Sequence, residues 1–156
     1  MSSEREELVA ELLLGSRVLS TETVMFHTAI AEQRGLSTIE SKVTDYLARI
    51  GPLTPKELAE YAGLAPASIT AMVDRLERKG IVSRVPHPDD RRKILVQVDP
   101  SGVAQAAPLW DYTVAAMHEL AAEYSDEQLH TVIGFIRRAA AITHESTVRL
   151  TGRSAE

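Results

Sequence analysis

No cysteine occurs anywhere in the 156 residues of this chain. That excludes disulfide staples, a thiolate nucleophile, sulfur-ligated zinc and thiol redox sensing. Aromatic residues make up only 4% of a chain that is 44% hydrophobic, so a packed core must be aliphatic. No apolar run approaches the ~20 residues that cross a bilayer. The acidic start, MSSEREELVA, lacks the pattern of a secretory signal. A soluble, cytoplasmic protein without a membrane partner is expected. There is also no Gly-rich phosphate loop, no nucleophile motif and no cluster of ionisable residues at catalytic spacing, so no enzyme is expected. The histidines, His27, His87, His118, His130 and His144, contain no pair four residues apart. No metal site and no cofactor are expected from them.

Positive charge in total is scarce too. The formal net charge is −5, which argues against indiscriminate binding of a polyanion by the whole surface. The deficit is uneven. Between Arg75 and Lys93, seven basic residues (Arg75, Arg78, Lys79, Arg84, Arg91, Arg92 and Lys93) face three acidic ones (Glu77, Asp89 and Asp90). Local fields, rather than totals, steer a polyanion to a surface.

The length fits one domain, or one core with an appended oligomerisation element. Residues 5–33 carry Leu8, Leu12, Val18, Leu19, Met25, Phe26 and Ile30 at helical spacings, with a slip near Gly15 and Ser16, and Gly35 ends the run. Ser37 with Glu40 forms a capping box for a second helix, whose expected apolar stripe is Ile39, Val43, Leu47 and Ile50. Thr54-Pro55-Lys56-Glu57 is a second box, opening a short helix with Leu58, Ala59 and Ala62 inward and Gly63 as its stop. The next helix starts near Pro66, buries Ile69, Met72, Val73 and Leu76, and stops at Gly80. Ile81 to Val85 and Lys93 to Val98 read as two strands around a turn at Pro86–Asp90, with Ile94, Val96 and Val98 on one face. Asp99-Pro100 opens a helix to about residue 123, in which Pro108 predicts a kink or a late true start. Ser125 with Gln128 is a third box. It opens a last helix with Leu129, Val132, Ile133, Ile136, Ala140 and Thr143 along its seam. The last residues, 151–156, are expected to be a loose tail.

Two short helices with a tight junction, followed at once by a basic hairpin, make a winged helix-turn-helix. A major groove admits one α-helix, and the second helix of such a pair enters it. With Ile69, Met72, Val73 and Leu76 inward, its outer face carries Ala67, Ser68, Thr70, Ala71, Asp74, Arg75 and Arg78. Ser68 and Thr70 can bond phosphates or bases, and Arg75 and Arg78 can reach backbone or guanine edges. Asp74 would repel phosphate and is expected to orient a neighbouring arginine. At the hairpin tip, an arginine can enter the narrow minor groove, where the potential is most negative. Asp90 stands two residues before Arg92, the spacing at which a carboxylate braces a guanidinium. Arg92 is read as the wedge, with Arg91 and Lys93 on flanking phosphates.

The run LTPKELAEYAGLAPASITAMVDRLERKGIVSRVPHPDDRRKILVQVDPSG resembles the DNA-binding core of the multiple antibiotic resistance regulator (MarR) family. LERKGIVSR (Leu76 to Arg84), DDRR (Asp89 to Arg92) and the strand ending in DPSG carry the likeness, in order and spacing. The resemblance implies a mainly α fold with a small β-hairpin wing. It implies a winged helix-turn-helix lobe over 36–99 and N- and C-terminal dimerisation helices over 1–35 and 100–150. It implies a homodimeric regulator, usually a repressor, on a pseudo-palindrome of double-stranded DNA. Ser68, Thr70, Arg75, Asp90 and Arg92 carry over as the DNA-contacting set. It further implies a small aromatic or lipophilic effector held between the dimer body and the DNA-binding lobe. His27, Tyr46, Arg49, Trp110 and His118 are candidate lining residues. The lack of cysteine removes the family's thiol-based peroxide sensing. Ala71 stands where members often carry a longer polar side chain, and Pro66 is less usual at the helix entry. A winged-helix architectural or protein-interaction module without operator specificity stays open as the alternative.

Overall fold

The computed structural model describes residues 3–152. The order of elements is α1 (Ser3–Gln33), α2 (Thr38–Ile50), α3 (Pro55–Ala62), α4 (Pro66–Arg78), β1 (Val82–Pro86), β2 (Ile94–Val98), α5 (Pro100–Ala106), a 3₁₀ turn (Ala107–Leu109), α6 (Asp111–Ala122) and α7 (Asp126–Thr151). The chain divides into two compact units, Met1–Asp99 and Pro100–Glu156.

All three capping boxes form. The Ser37, Thr54 and Ser125 side chains each accept from the amide three residues on, and Glu40, Glu57 and Gln128 each accept from the cap amide in return. Each box satisfies two amides that a helix start leaves without an intrahelical partner. At the far end of α4, Gly80 adopts φ +66°. Its amide donates to Glu77 O at 2.9 Å, and the amide of Ile81 donates to Leu76 O at 3.0 Å. This left-handed stop turns the chain straight from α4 into β1, so the wing stands beside the second helix of the pair.

In the first unit the core joins α2, α3, α4 and both strands. Val43, Leu47, Leu58, Ile69, Val73, Leu76, Val82 and Val96 form its centre. Full burial of each such side chain stabilises the fold by about 1.5–3 kcal/mol. The hairpin is antiparallel, pairing Val82 with Val98 and Pro86 with Ile94. A third segment joins it: Leu53 and Val96 exchange backbone bonds of 3.0 and 2.7 Å. The α2–α3 loop is thereby pinned to β2, a contact that no periodicity in the loop announces.

Several expected details shift. The buried stripe of α2 is Glu40, Val43, Thr44 and Leu47, while Ile39 and Ile50 are exposed. Val96 is buried and Val98 packs on the core, but Ile94 is exposed, because it lies out along the hairpin beyond the core's reach. Of the apolar residues in α1, Ile30 is buried together with Ala31, whereas Leu8, Leu12, Val18, Leu19 and Met25 are exposed.

In the second unit, Pro108 does more than kink the expected helix. It sits within a 3₁₀ turn that separates α5 from α6, since proline has no amide to donate and its ring clashes with the preceding turn. Gly102 is the one buried residue among the described residues of this unit. Val114, Met117 and Leu120 of α6 and Val132, Ile133 and Ile136 of α7 are exposed. Of the tail expected over 151–156, only the first two residues are described, and they continue the helix and its cap. Thr151 still belongs to α7 and Gly152 caps it with φ +64°, while 153–156 lie outside the described residues. No described helix is long and apolar enough to cross a membrane.

Candidate nucleic-acid interface

Helix α4 buries Ile69, Met72, Val73 and Leu76. At 100° per residue this puts Ala67, Ala71, Asp74 and Arg78 on the outermost row, and all four are exposed. Ser68, Arg75 and Lys79 flank that row on one side, and Thr70 and Glu77 on the other. The N-cap is Ala65, which supplies no side-chain bond, so the positive end of the helix is left uncovered by any capping side chain.

The flanks are tied down, and the ties decide which cations remain available. Arg75 Nε donates to Glu40 Oε1 at 3.0 Å. Lys79 Nζ donates to the Gly35 carbonyl. Asp74 and Glu77 both pair with Arg84 of β1, one on each terminal amino group. Asp74 therefore does orient an arginine, but one from the wing strand rather than from its own helix. The bond to Asp74, opposed by burial and aided by Glu77, raises the Arg84 guanidinium above its ordinary range. Thr70 donates its hydroxyl to Pro66 O at 3.2 Å, and Arg78 Nε donates to Asp74 O at 3.2 Å, with its charge uncompensated by that carbonyl. Ser68 is exposed on the helix surface.

The wing tip is held by its own backbone. His87 donates its amide to Lys93 O at 3.1 Å, and Lys93 donates its amide to Asp90 O at 2.9 Å. Asp89 donates its amide to His87 Nδ1 at 3.2 Å. Asp90 Oδ1 accepts both the amide of Arg92, at 3.1 Å, and its Nε, at 3.4 Å. Asp90 thus braces Arg92 while the arginine side chain stays 92% exposed. Arg91 and Lys93 are exposed, and with Arg84 they ring a notch floored by Val85, Pro86 and Ile94. The tip also lies near the start of α3. Hydrogen bonds from the Thr54 hydroxyl and amide hold the Glu57 carboxyl below the usual range against a small cost of burial, and the charges of His87 and Lys93 add to the effect.

The other candidate residues fall in separate places. Tyr46 packs against Tyr61 at 5.5 Å between ring centres. Arg49 lies 5.6 Å over the Tyr46 ring and pairs with Asp45 at 2.8 Å. His27 is on α1, its ring 6.0 Å from that of Phe26. Trp110 and His118 belong to the second unit, at the start and within α6. Among the described residues no group of three His, Cys, Asp or Glu side chains could hold a metal ion.

Sequence reasoning did not find the roles of Glu40 and Arg84. Glu40 was legible as a capping residue, but not as the partner of an arginine 35 positions away. Arg84 could have been found from strand alternation, which sends it to the face away from Val85 and towards α4.

The family model described as MarR family matches residues 45–94. An uncharacterised HTH-type transcriptional regulator of Bacillus subtilis, YcgE, is 36% identical over 148 residues, which span 95% of this chain and 94% of that protein. The chain belongs to the MarR family. With that membership it is a helix-turn-helix regulator of transcription. The HTH-type transcriptional repressor YetL of Bacillus subtilis is 34% identical over 97 residues, 61% of this chain and 58% of that protein. Among solved structures, a mutant of MepR from a multidrug-resistant S. aureus clinical isolate superposes with a TM-score of 0.67 at 16% identity, over 85% of this chain and 96% of that one. That likeness is one of fold: mainly α, with the two-stranded wing that marks the MarR family.

Proposed function

We propose that the chain is a homodimeric repressor that binds a pseudo-palindromic operator in double-stranded DNA and is released by a small aromatic or lipophilic effector. It is a cytoplasmic binding protein in this reading, not an enzyme, and needs no cofactor. One observation carries it. Arg92 projects from the wing tip, 92% exposed, with Asp90 holding its stem. That is the geometry of a preformed wedge for a narrow minor groove. Ser68, Thr70, Arg75 and Arg78 on α4, with Asp90, Arg91, Arg92 and Lys93 on the wing, form the proposed DNA-binding set. Within it, Asp90 acts by bracing Arg92, and Arg75 is tied at its Nε to Glu40.

Exposed apolar surface on α1 and on α7 supports the dimer. Leu8, Leu12 and Leu19 on α1, and separately Ile133 and Ile136 on α7, are exposed, apolar surface of the kind that marks an interaction site. Pairing residues 1–35 and 100–150 across a two-fold axis would bury it and set two recognition helices about 34–36 Å apart. The candidate effector-lining residues are His27, Tyr46 and Arg49 in the first unit and Trp110 and His118 in the second, each taken by itself. The stacked Tyr46 and Tyr61 offer an aromatic platform, and Arg49 a partner for a carboxylate.

A second reading, an architectural or interaction module, draws support from Ala67 and Ala71, which put two methyl groups on the outermost row of α4. Selection of DNA fragments from the source genome separates the two. Enrichment of one inverted repeat is expected. Binding without sequence preference would support the module.

A further inference from the structure

Arg75 and Lys79 stand one turn apart on one flank of α4, and both reach back to the junction where α1 hands over to α2. Lys79 donates to the Gly35 carbonyl. Arg75 Nε donates to Glu40 Oε1 at 3.0 Å. Glu40 is only 5% exposed and is used twice. Its other oxygen accepts from the Ser37 amide at 2.9 Å, while its own amide donates to Ser37 Oγ at 3.2 Å. One buried carboxylate therefore closes the start of α2 and holds the recognition helix. Burial pushes this carboxyl up, but the Ser37 amide, the Arg75 guanidinium, the Ser37 hydroxyl and the Lys79 charge outweigh it and hold it below the usual range.

We propose that Glu40 is a positioning residue for operator recognition. Through Arg75 it fixes the rotation of α4 about its own axis, so that the Gly35–Glu40 junction and the recognition helix move as one body. Side chains on a helix are set 100° apart. Pinning Arg75 on one flank, opposite the Asp74 and Glu77 bonds to Arg84 on the other, sets the direction of the row between them. A rotation of a few tens of degrees would turn Arg78 from a groove floor towards its wall. Arg75, with its charge balanced by Glu40, is a strut and not a phosphate contact. The inference rests on the operator-binding reading and adds to it the residue that sets the angle of the reading helix.

The test uses the full chain and the DNA fragment that the parent selects. Glu40→Ala and Arg75→Ala are each expected to weaken binding roughly tenfold, the scale of one hydrogen bond to a charged group. Both should lower the ratio of selected to scrambled DNA, and the double variant should be no worse than the poorer single. The slope of log affinity against log salt should stay at the parent's value, because no phosphate contact is lost. Glu40→Gln has one acceptor oxygen where Glu40 uses two. With it on the Ser37 amide the cap of α2 is kept, while its NH2 meets Arg75 donor to donor. The variant should therefore fold as the parent does yet bind DNA about as weakly as Glu40→Ala, and parent-like binding by it would count against the proposal. Ser37→Ala is the control for a purely structural effect. It weakens the cap of α2 and lowers the unfolding midpoint, yet should bind DNA as the parent does. Should Glu40→Ala fail to fold, Arg75→Met, altering a half-exposed side chain, carries the same comparison. A slope shallower by about 1.8 in Arg75→Ala, two contacts per dimer, would make Arg75 a DNA contact and overturn the proposal. So would a folded Glu40→Ala that binds and discriminates like the parent. A parent that selects no sequence at all overturns the operator reading, and the positioning role with it.

Discussion

The sharpest quantitative expectation concerns salt. Seven cations lie between Arg75 and Lys93, but three are engaged inside the protein: Arg75 with Glu40, Arg84 with Asp74 and Glu77, and Lys79 with the Gly35 carbonyl, where, unlike that of Arg78, its charge also acts on Glu40. Arg78, Arg91, Arg92 and Lys93 remain for phosphates and grooves. A dimer then offers roughly eight cations, and each neutralised phosphate contributes about −0.9 to the slope of log affinity against log salt. The expected slope is about −7, an affinity loss of about 10⁴-fold between 50 and 200 mM salt. If all seven cations of each chain engaged phosphate, the slope would approach −13, so the two accountings are well separated. Fluorescence anisotropy of a labelled operator across that salt range measures it. Arg91→Ala should make the slope shallower by about 1.8. A parent slope near −13 would refute the division into committed and available cations. A slope shallower than about −3 would refute wing contact altogether.

Arg84→Met should separate stability from binding. The carboxylates it pairs with are about half exposed, so the unfolding free energy should fall by less than about 1 kcal/mol. Asp74 and Glu77 would then face DNA unpaired. At roughly 8 Å from a phosphate each costs about 0.5 kcal/mol at low salt, which is about 30-fold in affinity for a dimer. Equal binding by parent and variant would refute the pairing as a charge shield. Acid should loosen the fold through Glu40 and Glu57, whose carboxyls both lie below their ordinary range. Their stabilisation is present above the unfolded value of about 4.3 and is lost as pH falls through the lower folded values. The urea midpoint should therefore drop below about pH 5, and more shallowly in a Glu40→Gln, Glu57→Gln double variant. An unchanged acid profile in that variant would refute the assignment. Leu76→Ala, at a fully buried position of α4, should cost about 2–5 kcal/mol by urea unfolding. A cost under about 1 kcal/mol would mean that α4 does not dock through that face.

Much of this architecture was legible because its signals are local. Ser37, Thr54 and Ser125 with their partners three residues on mark helix starts whatever the tertiary context, and all three form. Gly80 marks the turn into the wing because only a residue tolerant of positive φ fits there. Asp90 and Arg92 are two residues apart, so their contact is a property of the hairpin itself. What sequence missed was long-range. The stripe of α2 turned by one position because Glu40 is buried by its cap and by Arg75, so polarity misled the periodicity. The pairing of Leu53 with Val96 joins backbone to backbone and leaves no mark in side-chain type. Helical phase puts Arg75 on an exposed flank, and phase alone cannot tell a strut from a DNA contact there.

The absence of cysteine permits one direct measurement of the central claim. Asp89→Cys at the exposed wing tip introduces a unique thiol to which an iron chelate can be tethered. Hydroxyl radicals released there cut the operator within a short radius. Two clusters of cleavage, in the minor groove and related by the operator's two-fold axis, are predicted. Cleavage that is absent or evenly spread in a complex that otherwise binds its operator would contradict a wing seated in the minor groove on each half-site.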